Sequence, residues 1–139
     1  GGFTVLQSLV TKPGFYRAAV CLYGVSNQFL LASDTHKFEK HYLDTLLGPL
    51  PKSSAIYKER SPYFHAERIE DSLALFQGVE DQIVPKNQSD CIAQSLGKRG
   101  VPLEYHVYEG EGHGWRKIET IEHYYTTCIC FLKQHVIFT

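Results

Sequence analysis

Two polar residues in this sequence have the right type and setting for acid–base chemistry. Asp81 lies in Gly78-Val79-Glu80-Asp81-Gln82-Ile83-Val84-Pro85 and His113 in Glu111-Gly112-His113-Gly114-Trp115, each just after an apolar, strand-like run. An imidazole can take a proton from a nucleophile and return it to a leaving group, and a carboxylate behind it holds one tautomer and stabilises the charged ring. Asp81 is therefore the candidate acid and His113 the candidate base of a nucleophile, acid and histidine triad. Alone, an aspartate in a turn or a glycine-flanked histidine is commonplace. The weight comes from their combination, in the order acid then histidine and each in a loop leaving a strand. Glycines on both sides of His113 let its loop turn sharply, and Gly78 lets the chain bend just before Asp81.

The elements that must position these loops alternate between two periods. Phe3 to Lys12 places Phe3, Val5, Leu6, Leu9 and Val10 on a helix face, ended by Pro13-Gly14. Ala18 to Leu22 is short and apolar on both faces, as in a strand inside a parallel sheet. A polar-aromatic stretch follows, with a helix expected from Lys37 to Leu47, a break at Gly48-Pro49-Leu50-Pro51 and a turn at Ser61-Pro62-Tyr63. Ser72 to Gln77 predicts a second buried strand closed by Gly78, and Pro85 to Lys98 a capped helix. Leu103 to Tyr108 alternates apolar and polar residues, predicting a half-covered strand near an edge. From Trp115 to Val136, apolar residues at Ile118, Ile121, Tyr125, Ile129, Leu132 and Val136 recur at spacings of three and four, predicting one long amphipathic helix. The pattern is α/β, a parallel sheet of about three strands with helices on both faces and right-handed crossovers. In such sheets ligands bind at the carboxyl ends of strands, where Asp81 and His113 both fall.

The 139 residues are one domain's worth, and 43% hydrophobic with 21% charged is ordinary for a folded globular chain. A net charge of −1 with scattered Lys and Arg gives no footprint for nucleic acid or an anionic membrane, so neither partner is expected. No apolar run is long enough to span a bilayer. The four cysteines, Cys21, Cys91, Cys128 and Cys130, lie singly in apolar segments and none forms the closely spaced pairs that zinc or redox sites need. Buried free thiols, a reducing cytoplasmic setting and no metal or cofactor are expected. Asn87-Gln88-Ser89 is a formal glycosylation sequon that opens a helix and reads as chance. The first strand is too apolar for a solvent-facing edge, so it calls for more sheet from upstream chain or a homo-oligomeric partner. With a Gly-Gly start and no methionine, the sequence reads as a fragment.

Gly78-x-x-Asp81-x-x-Val84-Pro85 followed by Gln88-Ser89, then Tyr108-x-Gly110-x-Gly112-His113-Gly114, resembles the prolyl oligopeptidase family of serine peptidases. The Ser61-Pro62 and Gly100-Val101-Pro102 turns are similar to that family too, so the resemblance runs through essentially the whole chain. It departs at Asp71-Ser72, where a proline usually precedes the second strand. Members share a nucleophile turn G-x-S-x-G-G followed by an aromatic or aliphatic residue, and Gly1-Gly2-Phe3 resembles its last three positions. A leading Gly-Gly is also what a tag remnant leaves.

The resemblance implies residues 1–139 as the C-terminal part of an α/β-hydrolase catalytic domain, with the serine two places before Gly1 and the oxyanion hole also upstream. It implies a short peptide substrate cleaved through an acyl-enzyme, and a 139-residue chain that is inactive alone. It also implies aromatic residues of the first specificity pocket soon after the first strand, making Phe29, Phe38 and Tyr42 candidates with Tyr23 behind them. Two other readings stand beside it: an esterase or dienelactone-hydrolase-like enzyme with similar loops, and a noncatalytic binding domain of the same fold.

Overall fold

The computed structural model describes residues 1–34 and 42–138. Helix α1 (Gly2–Thr11) leads into strand β1 (Ala18–Leu22), and the short helices α2 (Gln28–Asp34), α3 (Tyr42–Leu47) and α4 (Ser54–Glu59) follow. A tight helical stretch over Pro62–Arg68 then enters β2 (Ser72–Gly78), helix α5 (Asn87–Arg99), β3 (Leu103–Tyr108) and helix α6 (Ile118–Leu132). The three strands form one parallel sheet in the order β1-β2-β3. Ala18 pairs with Ser72 through to Leu22 with Phe76, and Leu73 with Leu103 through to Gly78 with Tyr108.

The continuous apolar run of β2 follows from its central place, since both of its faces are covered. Leu73 and Leu75 point to one side, where α1 and α5 supply Leu6, Leu9, Val10, Ile92 and Leu96. Ala74 and Phe76 point to the other, against Cys128 and Phe131 of α6. Each fully buried leucine or isoleucine in these layers contributes roughly 1.5–3 kcal/mol of transfer free energy. Every residue of β3 is partly buried, as its alternating sequence requires of an edge strand. Among the described residues no strand pairs with the outer edge of β1. An open cavity of about 450 Å³ lies there between β1 and α1, lined by residues that include Val5, Leu9, Ala19 and Val20.

Several expectations change in detail. The helix expected over 37–47 is described only as Tyr42–Leu47. The stretch read as polar and turning instead holds α2, α4 and the Pro62–Arg68 segment. These pieces are too short to show a helical period, and their apolar residues form a separate cluster of Leu43, Leu47 and Tyr57 with Phe29 and Leu31. Helix α5 starts at Asn87 without a side-chain cap at Lys86, and closes on left-handed Gly100 (φ +70°).

The largest change concerns α6. Its expected apolar face is mostly outward, with Ile118 72%, Tyr125 61% and Ile129 52% exposed, while Tyr124, Cys128 and Phe131 meet the sheet. The two stripes are offset by one residue, about 100° around the helix, and one flat sheet can cover only one of them. The helix also widens after Leu132, where Phe138 N–H donates to Lys133 O at 2.9 Å. The cysteines are all free, but only Cys21 and Cys128 are buried, and Cys130 is exposed. Burial pushes the Cys21 thiol up to about 12, so it behaves as a small apolar side chain. No helix among the described residues is long and apolar enough to cross a membrane.

Candidate active site

The parallel ladder between β2 and β3 continues past both strand ends. Val79 N–H donates to Tyr108 O at 3.0 Å and Glu80 N–H to Glu111 O at 2.9 Å, so the two loops run side by side. Gly78 makes this approach possible. A Cβ at this position would run into the main-chain oxygens of both Glu111 and Gly112. Its role is thus close packing of the two loops, and it is not among the glycines at positive φ. Gly114, just beyond the histidine, does need φ +137° to turn the second loop.

These loops bring Asp81 and His113 together. Asp81 Oδ2 lies 2.8 Å from His113 Nδ1, with the carboxylate side chain fully buried and 30% of the imidazole side chain exposed. Asp81 Oδ1 accepts the N–H groups of Ile83 at 2.9 Å and Val84 at 2.7 Å, which closes the turn after it. Gln77 Nε2 donates to Oδ2 at 3.3 Å and to Val84 O at 3.1 Å. Ser89 Oγ donates to Gln77 Oε1 at 2.8 Å and so fixes which way that amide points. The carboxylate is therefore held at both oxygens, by main chain at Oδ1 and by side chains at Oδ2. An ionised carboxylate only accepts, so Nδ1 carries the proton and Nε2 is left for proton transfer.

The loop bearing His113 has its own anchor. Glu111 is buried, and its carboxylate accepts the N–H groups of Arg116 at 3.1 Å and Lys117 at 3.2 Å just ahead of α6. Burial works to raise its pKa, but hydrogen bonds from Thr120 and from the Arg116 and Lys117 main chain, with the Lys117 charge, bring it below the ordinary value. A depressed carboxyl contributes stability above its unfolded value and loses it as pH falls through the folded one, so this anchor is in force at neutral pH.

Opposite His113 stands the start of α1. Gly1, Gly2, Phe3, Val84 and His113 line one open cavity of about 510 Å³ together with Val20, Leu22, Tyr23 and Val25. Gly2 and Gly24 pack main chain against main chain, leaving no room for a Cβ on either. Tyr23, between Leu22 and Gly24, is the one non-glycine residue at positive φ among the described residues, at +40°. A bulky side chain held there costs about 1–3 kcal/mol and persists only where its surroundings enforce it.

Of the aromatic residues expected near a substrate pocket, Tyr23 lies beside His113 with ring centroids 4.1 Å apart. Phe29 instead packs with Tyr57 and Phe64, in the cluster beneath the short helices. Phe38 and the side chain of Tyr42 lie outside the described residues. Gln88 is a residue whose site role sequence reasoning did not reach. From the first turn of α5 its Oε1 accepts the N–H groups of Ser26 at 2.9 Å and Asn27 at 2.7 Å, fixing the loop after β1. Gln77 was missed likewise, although a buried glutamine closing an apolar strand is a visible signal. In the sequence Glu111 stands out only as a neighbour of His113.

Known proteins supply an independent comparison. The model of the prolyl oligopeptidase family matches residues 1–138. Dipeptidyl aminopeptidase BIII of Pseudoxanthomonas mexicana is 28% identical over 96% of this chain, which corresponds to 20% of that protein. The structure of a puromycin-hydrolyzing peptidase of Mycobacterium tuberculosis superposes with a TM-score of 0.92 and 37% identity, covering 97% of this chain and 20% of that one. A puromycin hydrolase structure gives a TM-score of 0.91 and 35% identity over 96% of this chain and 20% of its own. The chain thus spans about a fifth of the length of these relatives.

Proposed function

The chain belongs to the prolyl oligopeptidase family, and on that premise we propose that it is the acid- and base-bearing part of a serine peptidase catalytic domain that hydrolyses short peptides. The observation that carries the proposal is the 2.8 Å contact between Asp81 Oδ2 and His113 Nδ1, with the acid buried and the imidazole open to a cavity. The nucleophile is a serine two places before Gly1. Its placement is supported by the start of α1 lining the same cavity as His113. On this reading the nucleophile lies outside residues 1–139, and those residues by themselves would turn over no substrate.

In the proposed reaction, His113 Nε2 takes the serine proton as the oxygen attacks the scissile carbonyl. The tetrahedral intermediate collapses when His113 returns that proton to the leaving amine, leaving an acyl-enzyme. Water, deprotonated by His113, then attacks the acyl carbonyl, and His113 passes that proton to the serine oxygen as the acyl C–O bond breaks, releasing the acid product. Asp81 keeps Nδ1 protonated and offsets the charge of the imidazolium throughout. Upstream chain also supplies the oxyanion donors and the sheet that covers the outer edge of β1. The four free thiols suit a reducing, cytoplasmic compartment.

Relatives named for dipeptidyl aminopeptidase and puromycin-hydrolysing activity define the substrates to test. The protein extended by its own upstream sequence should be assayed on dipeptidyl and aminoacyl p-nitroanilides, on puromycin, and on p-nitrophenyl esters. Amide substrates are expected to be turned over with a kcat/KM in the common enzymatic range of about 10⁴–10⁸ M⁻¹s⁻¹. Turnover of esters with no amide cleavage would assign an esterase to the same fold. No turnover of either would make Asp81 and His113 relics in a binding domain.

A further inference from the structure

Tyr23 combines two unusual features that the proposed reaction does not by itself require. Its backbone is left-handed at φ +40°, while its N–H still donates to Phe76 O at 2.8 Å, continuing the β1-β2 ladder. The next residue, Gly24, is packed against the main chain of Gly2. The strain is thus enforced from both sides, by the sheet ladder behind Tyr23 and by the start of α1 ahead of it. The turn takes the side chain out of the strand's alternation. Its ring lies against the His113 imidazole, at 4.1 Å between centroids and 45° between planes, and meets Trp115 edge-on at 5.3 Å. Trp115 in turn packs edge-on against Tyr108 at 5.0 Å, so the contact is backed by a row of rings rather than by solvent.

We propose that Tyr23 is a positioning residue for His113, its ring holding one face of the imidazole so that Nδ1 stays on Asp81 and the imidazolium formed during proton transfer is stabilised. The inference rests on the reading of His113 as the general base. Asp81 fixes the imidazole only at Nδ1, through a single contact about which the ring can still tilt. A flat neighbour on the ring face removes that freedom, and its π-face attracts a cation that exists only once the proton has moved. Because the contact is made by the ring, the hydroxyl is dispensable.

The test uses the protein with its own upstream sequence, carrying Tyr23→Leu or Tyr23→Phe. Diethyl pyrocarbonate modification is followed by mass spectrometry of the peptides containing His113, His106 and His123, alongside peptidase kinetics. With Tyr23→Leu, His113 should react several-fold faster while His106 and His123 keep their rates. In the same variant kcat should fall about tenfold, with KM changed less than about twofold. Tyr23→Phe should match the parent in both readouts.

The proposal is overturned if His113 reacts at the parent rate in Tyr23→Leu, if kcat is unchanged there, or if Tyr23→Phe loses as much as Tyr23→Leu. Acceleration at all three histidines would also overturn it, since that reports general loosening. A parent protein without hydrolase activity defeats the peptidase reading instead, and the modification rates then decide alone whether the Tyr23 ring holds the imidazole.

Discussion

In the protein joined to its upstream sequence, His113→Ala is expected to lower kcat on a peptide substrate by about 10⁵- to 10⁶-fold, with little change in KM. The size of the effect follows from the number of steps the imidazole serves. It receives the nucleophile's proton, delivers it to the amine, and activates the water of deacylation, so no single step survives its loss. Asp81→Asn should cost less, about 10⁴-fold, because the imidazole remains but the amide in place of the carboxylate favours the wrong tautomer. Steady-state kinetics on a dipeptidyl p-nitroanilide measures both. A His113→Ala variant within tenfold of the parent would remove His113 from the reaction.

Gly78→Ala should produce the next largest change, although residue 78 carries no side chain that could take part in the chemistry. The added Cβ meets the main-chain oxygens of Glu111 and Gly112, so the two loops must separate. Forcing a carbon into a packed site costs about 1–3 kcal/mol, and here the contacts are backbone, which gives way less readily than a side chain. The same displacement pulls His113 from Asp81, and a misplacement of about 1 Å in a catalytic group can cost about 10²-fold in rate. Both a lower melting temperature and a kcat loss of about that size are expected. Gly97→Ala is the control. Gly97 lies within helix α5 with open space where a Cβ would go, so that change should be neutral or stabilising by up to about 1 kcal/mol. Equal effects of the two substitutions would show that loop packing at Gly78 is not what aligns the pair.

The sheet and the meeting of Asp81 with His113 were legible in the sequence because their signals are local. Ala18–Leu22 and Leu103–Tyr108 are short runs whose burial pattern is written in consecutive residues, and the strands have those bounds. Asp81 and His113 each sit just after such a run, so the parallel register alone carries them to the same end of the sheet. What supports them is not local. Gln88 reaches Ser26 and Asn27 from a distant part of the chain, and the Gln77 amide is oriented by Ser89 from the following helix. Neither pairing leaves a periodic trace. The buried face of α6 differs from the expected one for a related reason. Its apolar residues cover a wide arc, and periodicity finds the arc without saying which part meets the sheet. The positive φ at Tyr23 had no sequence signal at all, since tyrosine is among the residues least expected there.

In the proposed reaction Asp81 and His113 serve a serine two residues before Gly1. This is tested most directly by treating the protein, extended by its own upstream sequence, with a fluorophosphonate and mapping the adduct by mass spectrometry. A single adduct on that serine is expected, lost on heat denaturation and strongly reduced by His113→Ala. An adduct elsewhere in the protein, an adduct indifferent to His113, or none above the denatured control would contradict it.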